Sequence, residues 1–329
     1  MDMNVSDKIL IAAISFISCL AVTSCSNDEP MMINVKTDPI PEHNKNTLVA
    51  WDTIVCNQLS KNQIYIGSRY LGIQNWDCNG NPPSIYLGAV FPETSFGNHF
   101  DREVNGLKNP IEAYTDFSDP FISTIENPSG AGYNKYIKDV IHSEEYKTSG
   151  TPKLDLFRVA NITNLDSLDD ILTDNKAFAK TICEVVKQDN NTDNIKNWTI
   201  GEIVFKGFSV TTDIPESGIF INKDISEKGL VYVRSITYGA SAYFVIGSDL
   251  PFADIKSLLT SWSTSNSNES KLKDTSITVF TNSSPGQNAV VRHSLESLNT
   301  FVKNPYNKEE YGYPVYCTGC YLEDNSFFH

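Results

Sequence analysis

The chain has little positive charge. Among 329 residues, 26 Lys and Arg stand against 40 Asp and Glu, a formal net charge of −14 at pH 7. Nucleic-acid binding is driven by Lys and Arg displacing phosphate counterions, and no basic stripe offsets the acidic balance, so nucleic acid is excluded as a partner. Long apolar runs are equally scarce: there is one, at the start, which excludes a multi-span helical membrane protein. The signatures of the common catalytic sites are missing too, with no GxSxG elbow, no Walker A loop, no HExxH and no GxGxxG. His43, His99, His142, His293 and His329 sit in unlike contexts without a shared spacing. Adjacent carboxylates at Asp169-Asp170 and Glu309-Glu310 lie in polar surroundings and read as solvated surface, so an enzyme is not expected.

What the sequence does contain begins with that apolar run, ILIAAISFISCLAV over residues 9–22, preceded by Lys8. It is shorter than the roughly 20 residues that a spanning helix needs and fits the hydrophobic region of a secretory signal. Val22-Thr23-Ser24-Cys25 places an aliphatic and two small residues before a cysteine and resembles the lipobox of bacterial lipoproteins. That resemblance implies a signal peptide over residues 1–24 and lipidation of Cys25; an ordinary signal with a cysteine near its cleavage site is the alternative. Cys25-Ser26-Asn27-Asp28-Glu29 is similar to the acidic export tag of surface lipoproteins of Bacteroidota, which implies a lipid-anchored protein exposed on the bacterial outer membrane. Residues 25–50 are polar, with Pro30, Pro39 and Pro41, and read as a tether.

Beyond the tether, Cys56, Cys78, Cys183, Cys317 and Cys320 are odd in number, so at least one thiol is free in a compartment that permits disulfides; their pairing stays open. Cys317-Thr318-Gly319-Cys320 is a CxxC. Zinc would need a second pair of ligands, and His329 is the one nearby imidazole. A redox motif would open a helix, whereas both flanks here read as strand. No metal or cofactor site is expected.

Residues 51–329 hold the core. Runs of β-branched and aromatic residues, several alternating with period two, predict strands over 63–70, 84–90, 200–212, 230–247 and 276–281. Helices are expected over 133–141, 164–187, 252–262 and 293–303; in the last, Ser294 is placed to cap and Leu295, Leu298, Phe301 and Val302 share a face. Without strict βαβ alternation this is an α+β protein around a long antiparallel sheet. The longest strand carries Gly239 in its interior, where glycine marks a bend, a bulge or a close approach.

Four stretches resemble one family in the same order. Val231-Tyr-Val-Arg-Ser-Ile-Thr-Tyr-Gly-Ala-Ser-Ala-Tyr243 looks like the strand VYxSxVAYGRxxY of the thiol-activated, or cholesterol-dependent, cytolysins. Phe205-Lys-Gly-Phe-Ser-Val-Thr-Thr-Asp-Ile-Pro215 is similar to YKQxFYTVSxxLP, and Ile85-Tyr-Leu-Gly-Ala-Val-Phe91 to TYPGAL. Residues 288–304 followed by Gly312-Tyr-Pro-Val-Tyr-Cys-Thr-Gly-Cys-Tyr-Leu-Glu-Asp-Asn325 are similar to a helix followed by GxPISYTxxFLxDN.

The resemblance implies a bent antiparallel sheet of the membrane-attack-complex/perforin and cytolysin kind, flanked by helical bundles that unfurl into amphipathic hairpins. These join their neighbours' in a closed transmembrane barrel, which pairs every backbone group in lipid. It implies candidate insertable segments from Leu154 to Lys187 and from Phe252 to Lys273. Tyr238 and Gly239 fall where the family's sheet bends and opens an edge; the alternative is a kink in a static curved sheet. Nine residues follow Cys320 in this sequence, and a counterpart of the family's cholesterol-recognising C-terminal sandwich is not expected. The expectation is a pore-related lipoprotein assembling with copies of itself or with a companion cytolysin-like protein. The alternative is a non-lytic binding or adhesion lipoprotein on the same scaffold. Asp166, Asp169, Asp170 and Asp174 cluster in the first segment and residues 263–270 offer no apolar face, which motivates that alternative.

Overall fold

The computed structural model describes residues 51–56, 63–65, 85–96, 100, 102–172, 176–189, 195–222, 225–261, 275–283, 290–306, 309 and 311–328. Cys25, the signal and tether regions, Cys78, Asp174 and residues 262–274, including Lys273, lie outside them.

In chain order the elements are β1 (Asp52–Cys56), β2 (Gln63–Tyr65), β3 (Val90–Pro92), β4 (Ile111–Thr115), β5 (Ile122–Ile125), α1 (Gly130–His142) and α2 (Glu144–Thr148). Next come β6 (Lys153–Ile162), a 3-10 turn (Leu165–Ser167), α3 (Leu168–Ile171), α4 (Lys176–Asp189), β7 (Asn197–Thr212) and β8 (Leu230–Ser248). The chain continues through α5 (Phe252–Ser261), β9 (Ser276–Asn282), β10 (Val290–Arg292), α6 (Leu295–Lys303) and β11 (Tyr313–Tyr321).

All the described strands belong to one sheet built on β8, a 19-residue strand buried along most of its length. Burial on both faces explains its near-continuous Val, Ile, Tyr and Phe. On one side β7 pairs with it from Asn197 opposite Ser248 to Thr211 opposite Ser235. β6 follows β7, and β1 forms the outer edge on β6. On the other side of β8, β11 pairs along Val231 to Gly239 and β9 along Ser241 to Gly247, with β10 outside β9. β4 and β5 extend from the lower part of β7, β3 occupies the start of β8, and β2 flanks β11.

Successive residues of a strand face opposite ways, and this sorts the helices. Tyr243 and Val245 pack with Leu168, Phe178 and Ile182 of α3 and α4. Ala242, Phe244 and Ile246 pack with Ile255 and Leu258 of α5 and Leu298 and Phe301 of α6. The upper sheet is therefore covered on both faces. Below it, Val231, Val233, Ile236 and Tyr238 pack with Tyr133, Ile137 and Val140 of α1 and Tyr146 of α2.

The α+β architecture with a large antiparallel sheet matches expectation, and β7, β8, β9, α1, α5 and α6 fall close to their predicted spans. Ser294 caps α6, its hydroxyl accepting from the Ser297 N–H. Three readings change. The helix expected over 164–187 is divided: α3 ends at Ile171, where Leu172 at φ −101 and ψ 51 leaves the helical region, and α4 begins at Lys176, although both pieces present their apolar residues to one cluster. The strand expected over 84–90 is confined to Val90–Pro92, because Gly88 at φ 77 turns the chain and donates its N–H to the Val233 carbonyl. Finally, the first candidate insertable segment begins as sheet: Leu154 lies in β6, and only residues from Leu165 onward are helical.

Candidate functional site: the bend and edges of the sheet

Tyr238 and Gly239 lie where β8 changes partners. Gly239 is the last residue paired with β11, opposite Tyr313, and Ser241 is the first paired with β9, opposite Asn282. On the other side of β8 the register with β7 slips between Lys206 and Phe208, leaving Gly207 as a bulge. A bulge bends and twists its strand, so the lanes diverge at this level. Close backbone approach requires the glycines: a Cβ on Gly239 would stand 1.9 Å from the Phe205 carbonyl oxygen. A Cβ on Gly312, at φ 73, would stand 2.2 Å from the Gly239 oxygen.

Aromatic rings fix the junction from below. Tyr238 stacks on Phe208 with centroids 5.1 Å apart and meets Tyr311 edge-on at 5.5 Å. Its hydroxyl donates to that of Tyr133 on α1 at 3.1 Å, and burial pushes both phenols above their ordinary range. Ser241 and Tyr313 hydroxyls lie 2.6 Å apart across the diverging lanes. Tyr238 is thus packed core, while Gly239 and Gly312 make the close backbone approaches at this change of partners and Gly207 the bulge beside it.

Two buried carboxyls sit in this part of the sheet. Glu202, fully buried on β7, accepts from the Arg158 guanidinium of β6 at 2.5 Å and from the Tyr243 hydroxyl of β8 at 2.6 Å. This row ties three strands together beneath α3 and α4. The sequence offered no sign of it, because Arg158 and Glu202 become cross-strand partners only through the β6–β7 register. Asp155 occupies a slip in β6 between Leu154 and Leu156. Burial holds its carboxyl above the ordinary carboxylate range, while the Tyr316 hydroxyl, donating at 2.7 Å, and the charge of Lys206 pull the other way.

Helices occupy the two outer connections of the meander β6–β7–β8–β9, from β6 to β7 and from β8 to β9. The first holds the 3-10 turn, α3 and α4; Lys187 near the end of α4 pairs with Asp166 at 2.8 Å, both at the surface. Asp169 and Asp170 are exposed. The second holds α5, beginning at Phe252, which packs against the α5–α6 core. The outer strands of the meander carry short covers, β1 on β6 and three-residue β10 on β9. Leu154 stands near the start of β6, opposite Phe205, and Phe252 opens α5 in the second connection, and both pack against the cluster that holds Ile255 and Leu298.

Cys317 and Cys320 lie in β11, in separate apolar clusters and unpaired; burial raises both thiols, which keeps them protonated and poorly reactive. The CxxC is a strand segment, as its flanks suggest. Among the described residues no group of three or more His, Cys, Asp or Glu is arranged to hold a metal, and no helix is long and apolar enough to cross a membrane.

No family model and no curated protein matches the sequence. Solved structures do match the fold. The human-specific toxin intermedilysin superposes with a TM-score of 0.60 at 14% identity, covering 84% of this chain and 61% of that one. Wild-type pneumolysin gives the same TM-score, identity and coverage. The cytotoxin suilysin from Streptococcus suis gives 0.56 at 16% identity over 74% of this chain and 58% of its own. The fold is that of the cholesterol-dependent cytolysins, and the chain spans about 61% of the length of the first two of these structures.

Proposed function

We propose that the protein is a surface-anchored lipoprotein that uses a cytolysin scaffold for oligomeric assembly at a membrane, with a companion protein supplying membrane recognition. The observation that supports this most is the meander β6–β7–β8–β9, whose outer strands carry only short covers and whose two outer connections are helical. Consecutive antiparallel pairings make β9 run opposite to β6. A second copy placing its β6 beside β9 of the first would continue the same antiparallel order. Such head-to-tail contacts close into rings when the rotation permits. Residues of the two connections, drawn out as strands, would lengthen two existing hairpins, and a closed barrel would leave no backbone group unpaired in lipid. A lipid on Cys25 would hold the chain at the outer-membrane surface.

The test mixes the lipidated protein with dye-loaded vesicles, one set of phosphatidylethanolamine and phosphatidylglycerol and one of phosphatidylcholine and cholesterol, with and without a longer cytolysin-like protein from the same genome. Dye release and large rings are expected with the companion. Persistent monomer on every vesicle rejects assembly. A second reading, a non-lytic binding or adhesion lipoprotein, is favoured by the exposed Asp166, Asp169 and Asp170 in the first connection. It requires a specific surface ligand and no oligomer, and SDS-resistant rings would reject it.

A further inference from the structure

β1 does more than lengthen the sheet. It covers β6 from Leu156 to Val159 and forms the outermost strand on that side. Its register slips between Thr53 and Val55, a bulge of the kind that spoils an edge for further pairing. Its side chains reach the helices on both faces of the sheet. Trp51, immediately before the strand, lies over the Arg158 guanidinium at 4.2 Å and packs against the cluster containing Leu168 and Phe178 of α3 and α4. Asp52 turns the other way and accepts from Lys256 of α5 at 2.7 Å. Ile54 and Val55 pack against the cluster holding Ile255 and Leu258 of α5. One short segment therefore touches β6 and the helices of both connections.

We propose that β1 is a releasable strap: it occupies the edge that a second copy of this chain would pair with, and its departure loosens the helices of both connections in the same event. The inference rests on the assembly reading above and adds its control. Four backbone pairs and side chains that are only half-buried hold the strap, so it belongs to the part of the molecule that opens at least cost. β9 of another copy, seven residues long and paired without a slip in its own sheet, would offer more ladder hydrogen bonds than the four pairs of β1 do. β1 also directly follows the region read as the lipid-bearing tether, so whatever draws on that tether acts first on the strap.

The test compares the full-length protein with Asp52→Lys, with Trp51→Ala/Asp52→Lys and with the charge exchange Asp52→Lys/Lys256→Asp, by amide hydrogen exchange and by ring counting on the vesicles and companion described above. The first two variants should exchange about tenfold faster in peptides covering β6, α4 and α5, with β11 unchanged, as expected for a local opening. They should also form rings sooner than the parent. The charge exchange should restore slow exchange and slow assembly. Unchanged exchange in β6, or faster exchange in β6 without any in α4 and α5, overturns the proposal. Faster exchange in all three, with parent and variants both remaining monomeric, leaves the strap standing and overturns the assembly reading instead.

Discussion

At the residue scale, a single missing atom decides how closely β8 and β7 approach at Gly239. A methyl group at Gly239 would collide with the Phe205 carbonyl, an atom of a central strand that has no free rotation to escape by. Gly239→Ala should cost about 2–3 kcal/mol through overpacking, read as a lower urea midpoint with unchanged slope. Asp155 makes a different prediction. Its folded carboxyl is held above the unfolded value of 3.8, so the native state favours the protonated form. Its contribution to stability is complete below that value and is lost as pH rises through the folded one. Asp155→Asn keeps an acceptor for the Tyr316 hydroxyl and removes the charge. The variant should be more stable than the parent at pH 7 and equal to it near pH 3, with a flatter pH dependence of the denaturation midpoint.

At the scale of elements, the helices between the sheet strands depend on side-chain packing more than on their own length. α3 has four residues and α4 fourteen, so neither would persist alone in water. α4 is held to the sheet by Phe178, which meets Tyr243 edge-on at 5.2 Å and Phe280 at 6.3 Å. Phe178→Ala should cost about 3–5 kcal/mol and should raise amide exchange in α4 before it does so in β7 or β8.

At the scale of the whole molecule, β8, with β7 paired along most of its length, runs through two parts that differ in their other partners. Its lower part works with β11, α1 and α2 around an aromatic core, and its upper part with β9 and the helices of the two connections. Gly239 marks the change between them. The assembly proposed above places its contacts in the upper meander, and the vesicle and exchange experiments test that placement.

The sequence by itself determined the long strands and the helices at 133–141, 252–262 and 293–303, because period-two runs of β-branched and aromatic residues and amphipathic faces are local signals. Four quoted stretches also pointed to the cytolysin fold, which the solved structures of intermedilysin and pneumolysin share with this chain. Short strands such as β1, β4 and β10 escaped notice, since three to five residues carry no periodicity and owe their form to a neighbour's hydrogen bonds. Only the tertiary structure decided that Leu154 begins in a strand, that Glu202 meets Arg158 and Tyr243, and that Asp52 reaches Lys256. Each of these depends on register between segments far apart in the chain, and register is settled by which faces are buried together, not by any residue's own preference.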